Sequence, residues 1–177
     1  MRNILLLLAM VTSIALNAQT SRDYIRQEIK KHDQCKSVAI TEYNGDAMIY
    51  GRNGWAAQGC PTSFTNALDE LNSQREEIQD INLSENGRWL ILYGNNGIRW
   101  NNLYYDLEKQ IRYYNNEGEK ITTVTFNDNG EWIIITTEHI MASSQSLTDW
   151  LAEGCDEYGA LWTACMTNDA AVAVYES

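Results

Sequence analysis

Proline is nearly absent: the 177-residue chain has one, Pro61. With no Pro-rich, Ser-rich or low-complexity stretch either, nothing marks a linker between domains. Histidine is scarce too, with His32 and His139 alone, and the four cysteines stand at spacings unlike those of a zinc site. Neither histidine has a serine, cysteine or acidic partner in a nucleophile motif, so no metal, no cofactor and no catalytic residue is expected. Basic residues are outnumbered, 13 Lys and Arg against 24 Asp and Glu, for a formal net charge of −11. A surface of that sign is a poor partner for nucleic acid, and the scattered acids read as a solvated exterior. Beyond the first 18 residues no apolar run is long enough to span a bilayer.

Residues 1–18 carry Arg2, an apolar run from Ile4 to Leu16 and a small residue, Ala18, before Gln19. That pattern predicts a cleaved secretory signal, and the lack of a cysteine at the cut argues against a lipoprotein anchor. The mature chain, 19–177, is expected to be one domain in a secreted or periplasmic setting. Such a compartment permits disulfides, which makes Cys35, Cys60, Cys155 and Cys165 candidates for two. Local pairing, Cys35 with Cys60 and Cys155 with Cys165, would tie each helix-adjacent segment to its own strands. A ring-closing Cys35–Cys165 bond is the alternative.

What the chain does have is a period. Val38, Ile81 and Val124 are spaced by 43 positions, as are Tyr50 and Tyr93, and Gly54 and Gly97. Spacings of this size belong to stacked supersecondary units. The clearest copy is ENGRWLILYGNNG, Glu85 to Gly97, with relatives at Tyr43–Trp55 and Asp128–His139. Asn-Gly pairs flank a strand in each of the first two, which predicts a three-stranded meander with a type I′ turn at Asn86-Gly87 and a further turn at Asn53-Gly54. Leu68 and Leu71, Leu103 to Ile111, and Leu147 onward supply a helical stripe after each meander. The expected fold is therefore α+β: tandem repeats of about 43 residues, each a meander plus one helix, stacked as a curved array or a small closed ring. The boundaries fall at 19–35 for an N-terminal helix, 36–78, 79–121 and 122–162 for three repeats, and 163–177 for a partial one.

Two-residue turns would set Leu83 opposite Leu90 and Phe126 opposite Ile133, giving one aliphatic face for the helix. The remaining face, with Met48, Tyr50, Trp89, Ile91, Trp132 and Ile134, is apolar as well and needs a cover. Neighbouring repeats would supply it; a hydrophobic ligand cleft lined by Trp89, Trp132 and Tyr50 is the other reading.

The unit NG-x-W-aliphatic-aliphatic-x-Y-G-x-N-G, best seen at Asn86–Gly97, resembles repeats in exported bacterial proteins of uncharacterised function. The likeness runs from about Ser37 to Ile135. It implies export and a repeat scaffold and carries over no activity.

Acid pairs such as Asp69-Glu70 and Glu76-Glu77 fall on exposed helical positions and do not define a glycosidase pair. Asn127 to Glu131 lacks the full calcium-loop pattern and reads as a hairpin turn. The function expected is a non-enzymatic interaction or scaffold module binding a protein, peptide or glycan, with oligomeric state open. A hydrolase or enzyme inhibitor, its site assembled between repeats, is the alternative. The third strands vary most, and Arg52, Trp55, Arg99 and Trp100, on or beside them, are the candidate binding residues. For the leader, intact mass of protein from the native compartment should give a chain beginning at Gln19; a retained Met1 counts against export.

Overall fold

A computed structural model describes residues 23–41 and 45–176; the expected leader 1–18 lies outside them. The architecture is α+β, four helices and four small antiparallel sheets, none closed. Helix α1 is described over 23–31. Sheet 1 follows as β1 (Cys35–Ile40), β2 (Asp46–Tyr50) and β3 (Gly54–Gln58), then α2 (Thr62–Ser73). Sheet 2 is β4 (Ile78–Leu83), β5 (Trp89–Tyr93) and β6 (Gly97–Asn101), then α3 (Tyr105–Asn116). Sheet 3 is β7 (Ile121–Phe126), β8 (Trp132–Thr136) and β9 (Ile140–Ala142), then α4 (Gln145–Tyr158). Sheet 4 has two strands, β10 (Ala160–Met166) and β11 (Ala171–Glu176).

The first hairpin turn of the second unit differs from the type I′ expected at Asn86-Gly87. Ser84 N–H bonds Arg88 C=O and Leu83 pairs with Trp89, so the loop holds three residues, Glu85, Asn86 and Gly87. Only Gly87 has positive φ, 75°, the arrangement of a type I turn closed by a left-handed residue. One extra loop residue slides the register by one and exchanges the faces. Ile81, Leu83, Trp89 and Ile91 therefore share a face with α2, and Leu90 and Leu92 share the other with α3. Sheet 3 slides identically, pairing Phe126 with Trp132.

Gly54 and Gly97 also depart from their expected turn role. Each lies within a strand, opposite Tyr50 and Tyr93. A Cβ on Gly97 would come within 2.5 Å of the Tyr93 ring, and on Gly54 within 2.3 Å of the Tyr50 ring. These glycines are there so that a tyrosine can lie across the backbone.

In sheets 2 and 3 both faces are covered, each by a helix. α2 sets Phe64, Leu68 and Leu71 between Ala47 and Ile49 of sheet 1 and Ile81, Trp89 and Ile91 of sheet 2. α3 sets Leu107, Ile111 and Tyr114 between Leu90 and Leu92 of sheet 2 and Val124, Phe126 and Trp132 of sheet 3. α4 sets Leu151 between Ile133 and Ile135 and the Ala164 and Met166 of sheet 4. Trp89 and Trp132 are 5% and 4% exposed and belong to the cores, although Trp89 also borders a cleft with Ser63, Glu70 and Trp100. Their indoles anchor the preceding helix: Trp89 Nε1 donates to Ser63 Oγ at 3.0 Å and Trp132 Nε1 to Asp106 Oδ2 at 2.9 Å.

Successive first strands meet along polar ladders. Ser37 Oγ donates to Asp80 Oδ1 at 2.7 Å, Asn82 Nδ2 to Thr125 Oγ1 at 3.2 Å, and Ser84 Oγ to Asp128 Oδ1 at 2.8 Å. The partners stand 43, 43 and 44 positions apart. Asn127 Nδ2 to Thr167 C=O continues the series at 40.

The expected disulfides do not form; all four cysteines are free. Cys35 pairs with Tyr50 at one end of β2, whereas Cys60 Sγ donates to Asp46 C=O at the other. Four residues of strand separate those ends by about 13 Å, beyond a disulfide's reach. Cys155 lies on α4, while Cys165 pairs with Val172 on the face of sheet 4 turned away from that helix. Cys35 and Cys165 likewise remain unjoined. The separate roles of the glycine and the indole can be checked together by chemical denaturation. Trp132→Ala should cost roughly 3 to 5 kcal/mol, and Gly97→Val should also destabilise, because its side chain meets the Tyr93 ring.

Candidate functional site

Each first strand breaks its ladder at one place. The register slips between Cys35 and Ser37, Ile78 and Asp80, Ile121 and Thr123, and Leu161 and Thr163. Lys36, Gln79, Thr122 and Trp162 are thereby left outside the strand pairing. A bulge re-aims a side chain, and such features concentrate beside functional sites. Here all four residues line one cleft of ≈ 410 Å³, together with Asp80, Thr123, Thr136, Thr163 and Glu176. Four different chemistries, an ammonium, an amide, a hydroxyl and an indole, are delivered by the same backbone device.

Trp162 is 64% exposed, an unusual position for so large an apolar ring. Lys36 Nζ bonds Glu77 Oε1 at 2.6 Å, and that contact holds the Glu77 carboxyl below its ordinary range. Thr122 Oγ1 donates to Ile135 C=O, which fixes its orientation. Asp80 is the half-buried carboxyl of the cleft. Desolvation pushes its carboxyl up to about 6, against the opposing pull of the Ser37 hydroxyl and the Ile81 N–H. The Thr123 and Thr163 hydroxyls meet at 3.4 Å on the same floor. The surface offered is an exposed indole to stack on and a row of hydroxyl, amide and carboxyl groups to bond with.

The residues singled out from sequence lie elsewhere. Arg52 occupies the β2–β3 turn, exposed, its carbonyl accepting Ile78 N–H. Trp55 packs half-buried against the α2 core. Arg99 faces α2, paired with Glu70 and lying 5.8 Å from the Tyr93 ring centroid. Trp100 turns to the other side, under the Arg112 guanidinium of α3 at 4.9 Å. Arg99 and Trp100 come together in one respect, since both border a cleft of ≈ 360 Å³ beside Ser63, Asn66 and Glu70. A second cleft of ≈ 320 Å³, between β6 and α3, has Asn96, Arg112 and Asn115 with Trp100.

The histidines also have structural employment. His32 stacks on Tyr50 with ring centroids 3.7 Å apart, and His139 Nδ1 lies 3.0 Å from Glu119 Oε2. The turn Asn127–Glu131 is a hairpin loop, its Asp128 carboxylate filled by Ser84, Arg88 and the Asn86 N–H. Among the described residues no cluster of three or more His, Cys, Asp or Glu could hold a metal. No described helix is long and apolar enough to cross a membrane. Comparison with protein-family models, with curated proteins and with solved structures finds no match.

The Asp80 carboxyl gives a pH signature. A folded-state pKa raised above the unfolded value means that ionisation opposes folding, so stability is greatest with Asp80 protonated and falls as pH rises through about 6. Asp80→Asn should thus raise unfolding free energy at neutral pH by on the order of 2 kcal/mol, and the gain should vanish below about pH 4. Urea titrations across that range read both limits.

Proposed function

We propose that the chain is an exported, non-enzymatic binding module, built as tandem repeats of about 43 residues and taking a glycan in the bulge cleft. The observation that carries the reading is the convergence of four bulge residues, Lys36, Gln79, Thr122 and Trp162, on one concave surface. A scaffold that repeats its core and varies its side chains at one backbone position is arranged for recognition. An exposed indole stacks on the apolar face of a sugar ring, and the hydroxyl, amide and carboxyl groups below it suit a sugar's hydroxyls. The scarcity of exposed cation among the lining groups disfavours a polyanion, since Lys36 is already paired with Glu77. The ledge around Arg99 and Trp100 is the runner-up surface: it too combines an aromatic ring with amides, but the Trp100 ring already has Arg112 over it.

The test is a glycan array followed by calorimetry on the captured oligosaccharide. Trp162→Ala should weaken binding tenfold or more, equivalent to about 1.4 kcal/mol, with the melting temperature unchanged. If Trp162→Ala binds normally and Trp100→Ala does not, the ledge is the site. Capture of no glycan at all overturns the reading.

A further inference from the structure

In sheets 1, 2 and 3 one pair of middle-strand residues faces the helix that follows. The pairs are Ala47 and Ile49 under α2, Leu90 and Leu92 under α3, and Ile133 and Ile135 under α4, all between 0 and 3% exposed. Strand pairing sets Val172 and Val174 of β11 at the same two positions: Val172 opposes Cys165 as Ile133 opposes Thr125, and Val174 opposes Thr163 as Ile135 opposes Thr123. Yet Val172 is 59% exposed and Val174 41%. Among the described residues no helix lies on that face, whose other side is packed on α4.

The first helix shows the opposite vacancy. α2, α3 and α4 each lie between two sheets, whereas among the described residues α1 has a sheet on one side only. It sits on sheet 1 through the His32–Tyr50 stack, with Ile25 and Glu28 buried. Its free flank carries Ile29, 44% exposed, beside exposed Arg26 and Lys30. Among the described residues sheet 4 is thus half of a sheet–helix–sheet joint without its helix, and α1 is the other half without a sheet on its second flank.

Charge favours the same pairing. Lys120 is the last basic residue, and nine acidic side chains follow it with no Lys or Arg among them. Two of them, Asp169 and Glu176, bracket β11, and both are exposed. Arg26, Lys30 and Lys31 are exposed on α1. The acidic end carries the bare apolar face, and the basic end carries the one-sided helix.

We infer that two copies of this chain associate head to tail, α1 of one seated on the Val172–Val174 face of sheet 4 of the other. The contact repeats the geometry of the internal joints and sets Arg26 and Lys30 against the acidic end. It is a heterologous contact, so it propagates beyond the dimer unless the rotation closes a ring. Opposite charges at the rim make the association salt-sensitive, and the apolar centre supplies the part that salt does not screen.

The experiment uses sedimentation velocity on the purified protein and on two variants at low and high salt. Val174→Glu blocks the tail; Ile29→Glu with Lys30→Glu blocks the head. All three positions are exposed, and unchanged melting temperatures confirm folding. Wild type should self-associate with concentration at low salt and less at high salt. Each variant alone should stay monomeric, and an equal mixture of the two should form a dimer and nothing larger, because it contains one intact head and one intact tail. Wild type that remains monomeric at low salt overturns the proposal. So does a Val174→Glu protein that still associates, or an Ile29→Glu, Lys30→Glu protein that dimerises through its tails. Because Val174 is not a lining residue of the glycan cleft, glycan capture by Val174→Glu should match wild type, and the two proposals fail separately.

Discussion

A three-stranded sheet only five or six residues long has two faces and cannot bury either by itself. Everything else follows from that constraint. The middle strands DAMIY, WLILY and WIIIT are apolar at nearly every position because alternate residues enter different cores. Interleaved helices are the cover, one per gap, each presenting apolar side chains to the sheet before it and the sheet after it. The first strands then lie side by side, and their polar ladders fix one sheet against the next. Burial holds the layers together, and hydrogen bonds between sheets set their alignment.

The cleft is a by-product of the same alignment. Once four first strands run next to one another, a bulge at a matching place in each brings four side chains to one spot. No residue of the hydrophobic clusters has to change for the lining to change, save Leu161 and Ile135 at its edge. The cost of the arrangement is one desolvated carboxyl, Asp80, which the Ser37 hydroxyl only partly offsets.

Periodicity made the architecture legible. Spacings of 43 reappear directly as hydrogen bonds between Ser37 and Asp80 and between Asn82 and Thr125. The order of three strands and a helix, and the double burial of the sheets, followed from apolar runs and Asn-Gly signals. Finer features were not legible for identifiable reasons. Asn-Gly is compatible with both a two-residue and a three-residue loop, and the difference of one residue moved Trp89 from the face expected for it to the one shared with α2. Gly54 and Gly97 have the composition of turn residues, but their partner is a tyrosine ring that only the folded strand brings near. Bulges leave no compositional trace; the one available clue was that Lys36, Gln79, Thr122 and Trp162 are dissimilar whereas Val38, Ile81 and Val124, two positions on from the first three, are alike. Cysteine pairing was argued from proximity in sequence, which says nothing about which end of a strand each thiol occupies.

The division of each middle strand between two cores has a dynamic consequence. Leu90 belongs to one cluster and Ile91 to the next, so neighbouring cores are separated by the thickness of a single strand. Loosening one core leaves the adjacent one whole except for that strand's backbone, and cooperativity must pass through it. Hydrogen exchange in such a chain is expected to be graded, with β11 opening first because, among the described residues, one of its faces is bare and its outer edge carries no strand, and with β5 and β8 last because each is held by two cores at once.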